Sequence, residues 1–157
     1  MEGLLFSLLL SSFSPVLPLD SISDADMMCL TKNIYFESRN QDIIGQIAVA
    51  HVTINRVIDS RYPDTICAVV KQGYVEGRRD CQFSWYCDGK PDRMVEEDER
   101  IIASAIAEAV IQGRFVDITD GATHYHANHI TPYWSRSLTR IAAIEDHTFY
   151  RWETANN

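Results

Sequence analysis

The 157-residue sequence predicts an α+β fold, a compact helical body with a small antiparallel sheet or hairpin. Apolar residues recur at helical spacing through most of the first 112 positions, and beyond Gly113 the pattern shifts to short strands and turns. The first helix is expected to start at a cap formed by Asp24 or Asp26 and to run to about Arg39, with Met27, Leu30 and Ile34 on one face. Asn40-Gln41 breaks it, and Asp42 can cap a second helix carrying the stripe Ile44, Ile47, His51, Ile54 and Ile58. On that stripe His51 reads as a packed core histidine rather than a ligand. Tyr62-Pro63-Asp64-Thr65 is a stop followed by a new cap, giving a short helix from Ile66 to Lys71. From Gln72 to Arg93 neither period is present, so a long connection is expected there, and it has to be pinned. A further helix from about Met94 to Gln112 has Asp92 ahead of it and acidic residues in its first turn. Ile101, Ile102, Ala105 and Ala109 are expected inside, with Gly113 as the stop. Asp120-Gly121 is a turn signal, and Ile141 to Ile144 against Thr148 to Trp152, joined at Glu145-Asp146, reads as a hairpin.

Composition narrows the function. The chain has room for one ordinary domain, and its 46% hydrophobic and 23% charged residues are those of a globular protein. A net charge of −8 argues against a nucleic-acid partner but not against a neutral sugar polymer. Leu4 to Leu19 is apolar apart from serines and two prolines. We therefore divide the chain into residues 1–23, an export signal or N-terminal arm, and residues 24–157, the catalytic domain. The acidic Met1-Glu2-Gly3 start and the lack of an Ala-x-Ala site run against a signal. Pro15, Pro18 and the short run argue against a stable membrane span. Export would let the four cysteines oxidise. Three connectivities are open. Pairing Cys81 with Cys87 closes a short loop and leaves Cys29 to meet Cys67, whereas in a cytosol all four would stay reduced. With no Cys-x2-Cys pair, a cysteine zinc site is not expected.

Three constellations could carry chemistry. Glu37 ends an apolar, aromatic helix at Ile34-Tyr35-Phe36-Glu37, where burial would raise its pKa and let it hold a proton near neutral pH. The alternative is an ion pair with Arg39 or Arg56. Cys81-Gln82-Phe83-Ser84-Trp85-Tyr86-Cys87 combines flat rings with amide and hydroxyl groups, which suits a sugar's apolar face and its hydroxyl edge, although such rings also plug cores. Thr123-His124-Tyr125-His126 reads as a strand with both histidines on one face. No third metal ligand falls in register, so hydrogen bonding to substrate or to Glu37 is the preferred role, with no metal and no cofactor.

Taken together and in order, several segments resemble the SleB-type cell-wall hydrolases, the spore cortex-lytic enzyme family. They are Cys29-Leu30, Glu37-Ser38-Arg39, Gly45-Gln46-Ile47-Ala48-Val49-Ala50, Asn55-Arg56-Val57, Tyr62-Pro63, Cys67-Ala68-Val69-Val70, Cys81 to Trp85 with Cys87-Asp88-Gly89, and Gly121 to His126. The resemblance spans about Met28 to Trp152 and implies a lysozyme-like domain acting on peptidoglycan glycan strands, generally as a lytic transglycosylase, with Glu37 as catalytic acid. Gln82, Ser84, Thr123, His124, Tyr125 and His126 are then expected to orient the sugar, and Phe83, Trp85 and Trp134 to stack on it. The family motif usually reads Glu-Ala-Arg-Gly-Glu; here it is Glu37-Ser38-Arg39-Asn40-Gln41, which puts in question any role for an acid at position 41. Alternatives are a hydrolytic muramidase, possibly a phage endolysin, with Asp88 or another acid positioning water, and a non-catalytic peptidoglycan-binding module. A zinc amidase built on His124 and His126 is a further option. A monomer is expected, exported to the periplasm or cell wall or released to the cell wall during phage lysis.

Overall fold

The computed structural model describes residues 17–153, so most of the expected leader lies outside the described residues. Among the described residues four α-helices precede three strands: α1 Asp24–Ser38, α2 Ile43–Ile58, α3 Ile66–Val70, α4 Glu97–Ile111, β1 His124–Ala127, β2 Thr139–Ile144 and β3 His147–Arg151. Among the described residues no helix is long and apolar enough to cross a membrane.

The N-cap of α1 is Ser23, not Asp24 or Asp26. Its hydroxyl accepts from the Asp26 N–H while the Asp26 carboxylate returns a bond to the Ser23 backbone, a reciprocal capping box. The same carboxylate accepts from the Cys67 N–H at 2.9 Å and so ties the start of α1 to α3. Beside that contact Cys29 is bonded to Cys67, with Cα atoms 5.3 Å apart. Replacing both cysteines by serine should release a loop spanning 38 positions and cost about 3–4 kcal/mol. A loss of roughly 10 °C in Tm is expected by circular dichroism under non-reducing conditions. An unchanged Tm would show that the cross-link does not constrain the unfolded chain.

Asp42 is the N-cap residue of α2 as expected, but its side chain makes no capping bond. Ile47, His51 and Ile54 of the expected stripe are buried, whereas Ile44 and Ile58, at the two ends, stay half exposed because the neighbouring elements do not reach them. His51 is a core histidine, 4.0 Å from the Asp117 carboxylate and pushed toward its neutral form by burial.

The last helix departs further from expectation. It starts at Glu97 rather than Met94, with Glu96 at the N-cap position. Its buried face is Ala103, Ile106, Ala107, Val110 and Ile111, while Ile101 is 53% exposed. Apolar residues occur around most of this helix, so periodicity alone could not choose the phase; packing on α1 and α2 chooses it. The stop is as expected: Gly113 has a φ of +67°, its N–H reaches the Val110 carbonyl and the Arg114 N–H reaches Ala109.

The expected hairpin forms with two-residue turn Glu145-Asp146, and β1 adds to its β3 edge, giving a three-stranded antiparallel sheet in the order β1-β3-β2. Facing β3, Tyr125 pairs with Phe149 and His126 with Thr148. One core lies among the helices around Leu30, Ile34, Tyr35 and Ile106; a smaller one joins α2 to the sheet through Ala48, Val49, Val52, Ala122 and Phe149. Tyr125 packs against both cores. The sheet is therefore docked so that one β1 side chain comes up against the end of α1.

Candidate active site

Glu37 lies in the last turn of α1, where the helical body meets the sheet. Alternation along β1 sends Tyr125 inward, and its hydroxyl donates to the Glu37 carboxylate. Neither Arg39 nor Arg56 clamps that carboxylate. Arg39 pairs with Glu96 at 3.0 Å, and Arg56 donates from Nε to the Thr123 carbonyl at 2.7 Å. Arg56 is itself buried, its guanidinium over the rings of Tyr62 and Phe83 at 5.3 and 5.1 Å. It acts on Glu37 only through its field.

Burial raises the Glu37 pKa above the usual carboxylate value; the Tyr125 hydrogen bond and the Arg56 charge oppose that shift without cancelling it. Tyr125 is driven the other way from ionisation: burial and the neighbouring carboxylate hold its phenol well above its ordinary value, so it remains a donor. The pair is thus a carboxyl biased toward its protonated form and fixed in orientation by a neutral hydroxyl.

Glu37 and Asn40 line two adjoining depressions of about 620 and 430 Å³. The first is walled by Phe36, Arg39, Glu96 and Glu99, and the second by Gln41, Asn128, His129, Asp146 and His147. A groove therefore passes over the carboxyl, with polar side chains along both arms. Gln41 occupies the position where the family motif has an acid, and the structure gives it a structural role. Its amide donates to the Asp146 carboxylate at 3.2 Å and accepts from the Asp146 N–H at 3.1 Å, clasping the β2–β3 turn to the body. A carboxylate there could accept from the N–H but not donate to Asp146. His147 has its edge on the Tyr125 ring, with centroids 5.1 Å apart, and burial pushes it toward its neutral form.

Of the residues expected to surround the sugar, Tyr125 alone joins Glu37. Phe83 and Trp85, expected as stacking platforms, are 2% and 8% exposed. Trp85 stacks on Phe36 at 4.8 Å, and its indole N–H donates to buried Asn33 at 2.9 Å. Both rings are core. They are pinned there by the short 3-10 helix Ser84–Cys87 and the Cys81–Cys87 bond, whose Cα atoms are 6.1 Å apart. Gln82 and Ser84 are exposed on the same loop but line neither depression.

His124 and His126 project from the opposite face of β1 to Tyr125. Each packs against Trp134, with centroids 5.2 and 5.7 Å apart, and His126 shares a hydrogen bond with the Tyr150 hydroxyl at 3.0 Å. Burial and the nearby Arg56 and Arg61 pull His124 down to about 4. Buried Thr123 bonds the His124 ring at 2.9 Å. Strand alternation puts the two histidines on the far side, where they form an aromatic layer with Trp134, and none of these three nor Thr123 lines either depression. Among the described residues no group of three or more His, Cys, Asp or Glu side chains is placed to hold a metal ion.

The remaining groove residues carry no sequence signal of their own. Asn128 and His129 simply follow a strand, and Asp146 and His147 gain their place only through the hairpin register that brings His147 opposite Ala127.

A profile of the family described as Cell Wall Hydrolase matches residues 40–150. The chain belongs to the cell wall hydrolase family. The matched span begins just past Glu37 and takes in all of the sheet except Arg151. A spore cortex-lytic enzyme of Halalkalibacterium halodurans is 29% identical over 128 residues, which is 81% of this chain and 35% of that protein. One from Bacillus cereus is 38% identical over 48 residues, covering 31% of this chain and 18% of the relative. The chain thus spans about a third or less of the length of these curated relatives. The catalytic domain of the germination-specific lytic transglycosylase SleB from Bacillus anthracis has the same fold. It superposes with a TM-score of 0.66 at 26% identity, over 86% of this chain and all of that one. The catalytic domain of Bacillus cereus SleB matches with a TM-score of 0.68 at 26% identity, over 84% and 94%. The helical body with its small three-stranded sheet is therefore the fold of the family.

Proposed function

We propose that this chain cleaves peptidoglycan glycan strands between N-acetylmuramic acid and N-acetylglucosamine as a lytic transglycosylase, acting outside the cytoplasm. The observation that carries the reading is the Glu37 carboxyl, its pKa raised by burial, free of any guanidinium clamp and shared by both arms of the groove. Family membership and the fold shared with the Bacillus anthracis lytic transglycosylase domain support the substrate and reaction class.

The proposed reaction needs one such group. Protonated Glu37 gives its proton to the glycosidic oxygen, the C1–O bond of the muramyl residue breaks, and the N-acetylglucosamine end leaves as its 4-hydroxyl. Positive charge develops at C1. The Glu37 carboxylate then takes the proton of the muramyl C6 hydroxyl as that oxygen closes on C1. A 1,6-anhydromuramyl end forms, the acid is restored and no water is consumed. The attacking hydroxyl is already tethered to the reacting ring, which favours it over free water. Tyr125 keeps the carboxyl aimed through both steps.

A hydrolytic muramidase needs a second carboxylate to hold water. Asp88, the candidate for that part in the sequence, does not line the groove, but Glu99 does and forms no ion pair among the described residues. Mass spectrometry of muropeptides released from purified sacculi distinguishes the two. Anhydromuramyl ends are expected to make up nearly all new ends, whereas reducing muramyl ends in their place would reject the transglycosylase route.

A further inference from the structure

A third cavity, of about 230 Å³, is lined in part by Trp85, whose ring stacks on Phe36 of the groove wall. Its apolar wall is Met28, Val70 and Trp85, and its polar groups are Lys32, Lys71 and Asp92. The chain has only three lysines in all, so two of them serve one small cavity of an acidic protein. Neither makes an ion pair among the described residues, whereas the third, Lys90, lies 4.0 Å from Asp88. Lys32 belongs to the same strip of α1 as Phe36 and Arg39, one and two turns earlier than those groove residues. Along the helix axis it is about 7–8 Å from Glu37.

We infer that this cavity receives the peptide stem of the substrate, holding the zwitterionic end of a diamino diacid at its third position. The inference rests on the glycan-cleaving reading above. In peptidoglycan the stem leaves the muramyl lactyl group, close to the bond that Glu37 would protonate. Five positions also turn the helix by roughly 140°, so Lys32 lies round α1 from Glu37 as well as along it, and the lactyl group, two extended residues at about 3.3–3.6 Å each and the diamino acid's own side chain together span that longer path. A diaminopimelate side chain presents methylenes followed by one carboxylate and one ammonium. The apolar wall suits the methylenes, Lys32 and Lys71 the carboxylate, and Asp92 the ammonium. A lysine stem offers the ammonium alone and leaves both lysines unanswered.

The test is direct titration of the protein with the free tripeptide L-alanyl-γ-D-glutamyl-meso-diaminopimelate, followed by NMR. Shifts at Lys32, Lys71, Asp92 and the Trp85 indole are expected, with binding at least 10-fold weaker in Lys32→Gln/Lys71→Gln. The lysine-ended tripeptide should bind at least 5-fold more weakly to the wild type. Lys71→Gln alone, at an exposed position where folding is not at stake, should show part of the loss. A second arm compares kcat/KM on stem-bearing strands with that on strands stripped by an amidase. A ratio of 10 or more in the wild type should fall toward one in the double variant. No shifts at the cavity, equal affinity for the two tripeptides, or a ratio untouched by the double variant would each overturn the stem site. Failure of the wild type to cleave either polymer would instead reject the glycan-cleaving reading, with the titration still deciding the cavity.

Discussion

Glu37→Gln is expected to lower the rate of glycan cleavage by about 10³-fold or more, since one group is asked to act as acid and then as base. The amide oxygen can still accept from the Tyr125 hydroxyl, so the site geometry should survive. Stability separates loss of chemistry from loss of fold. A carboxyl whose folded pKa is raised stabilises the native state fully only below its unfolded pKa, and that contribution is lost as pH rises through the folded value. At neutral pH the buried carboxyl is therefore a liability that glutamine removes. The variant should melt higher than the wild type at pH 7, and the difference should shrink toward pH 4. An inactive variant with a lowered Tm at both pH values would point to misfolding instead.

Tyr125→Phe is expected to cut kcat by roughly 10- to 100-fold, the scale on which a small misplacement of a catalytic group is felt. The fold should be retained, because the ring keeps its packing against Phe149 and His147. The pH profile gives the sharper readout. The Tyr125 hydrogen bond lowers the Glu37 pKa against the larger effect of burial, so its removal should let that pKa climb. Cleavage requires the protonated acid, and activity falls as pH rises through its pKa. The alkaline limb should therefore move to higher pH in Tyr125→Phe. A merely structural tyrosine would lower the rate and leave the limb where it was.

How far the sequence announced this arrangement depends on the kind of signal. Helix ends and turns were legible because their chemistry is local: Thr65, Gly113 and the Glu145-Asp146 turn all act where expected. Ser23 displaced the two aspartates as a cap because its short hydroxyl reaches the Asp26 N–H while Asp26 completes the box. The buried phase of α4 was not legible, since alanines and isoleucines occupy several of its faces and only α1 and α2 select one.

The site divides in the same way. Glu37 stood out as a carboxylate among apolar and aromatic neighbours, a local anomaly. Tyr125 stands in the sequence between two histidines with the same polar, ring-bearing character, yet strand alternation separates them: a residue between two outward neighbours faces inward. Trp85 and Phe83 lay in a polar, cysteine-flanked loop, but the Cys81–Cys87 bond and the Asn33 acceptor fold that loop into the core. The second arm of the groove is built from a hairpin turn held by Gln41, and no short-range pattern encodes a contact 105 positions apart. The departure from the family motif at position 41 was visible, and its consequence needed the three-dimensional fold.

Glu37 must hold its proton in an open groove under conditions in which ordinary glutamates have lost theirs. Site-resolved carbon NMR of its carboxyl across a pH series measures this directly. A midpoint clearly above 4.5, the ordinary value for a glutamate, moving higher in Tyr125→Phe, is the expected result. A midpoint at or below 4.5 would contradict it, because a carboxylate already ionised in the resting site has no proton to give the glycosidic oxygen.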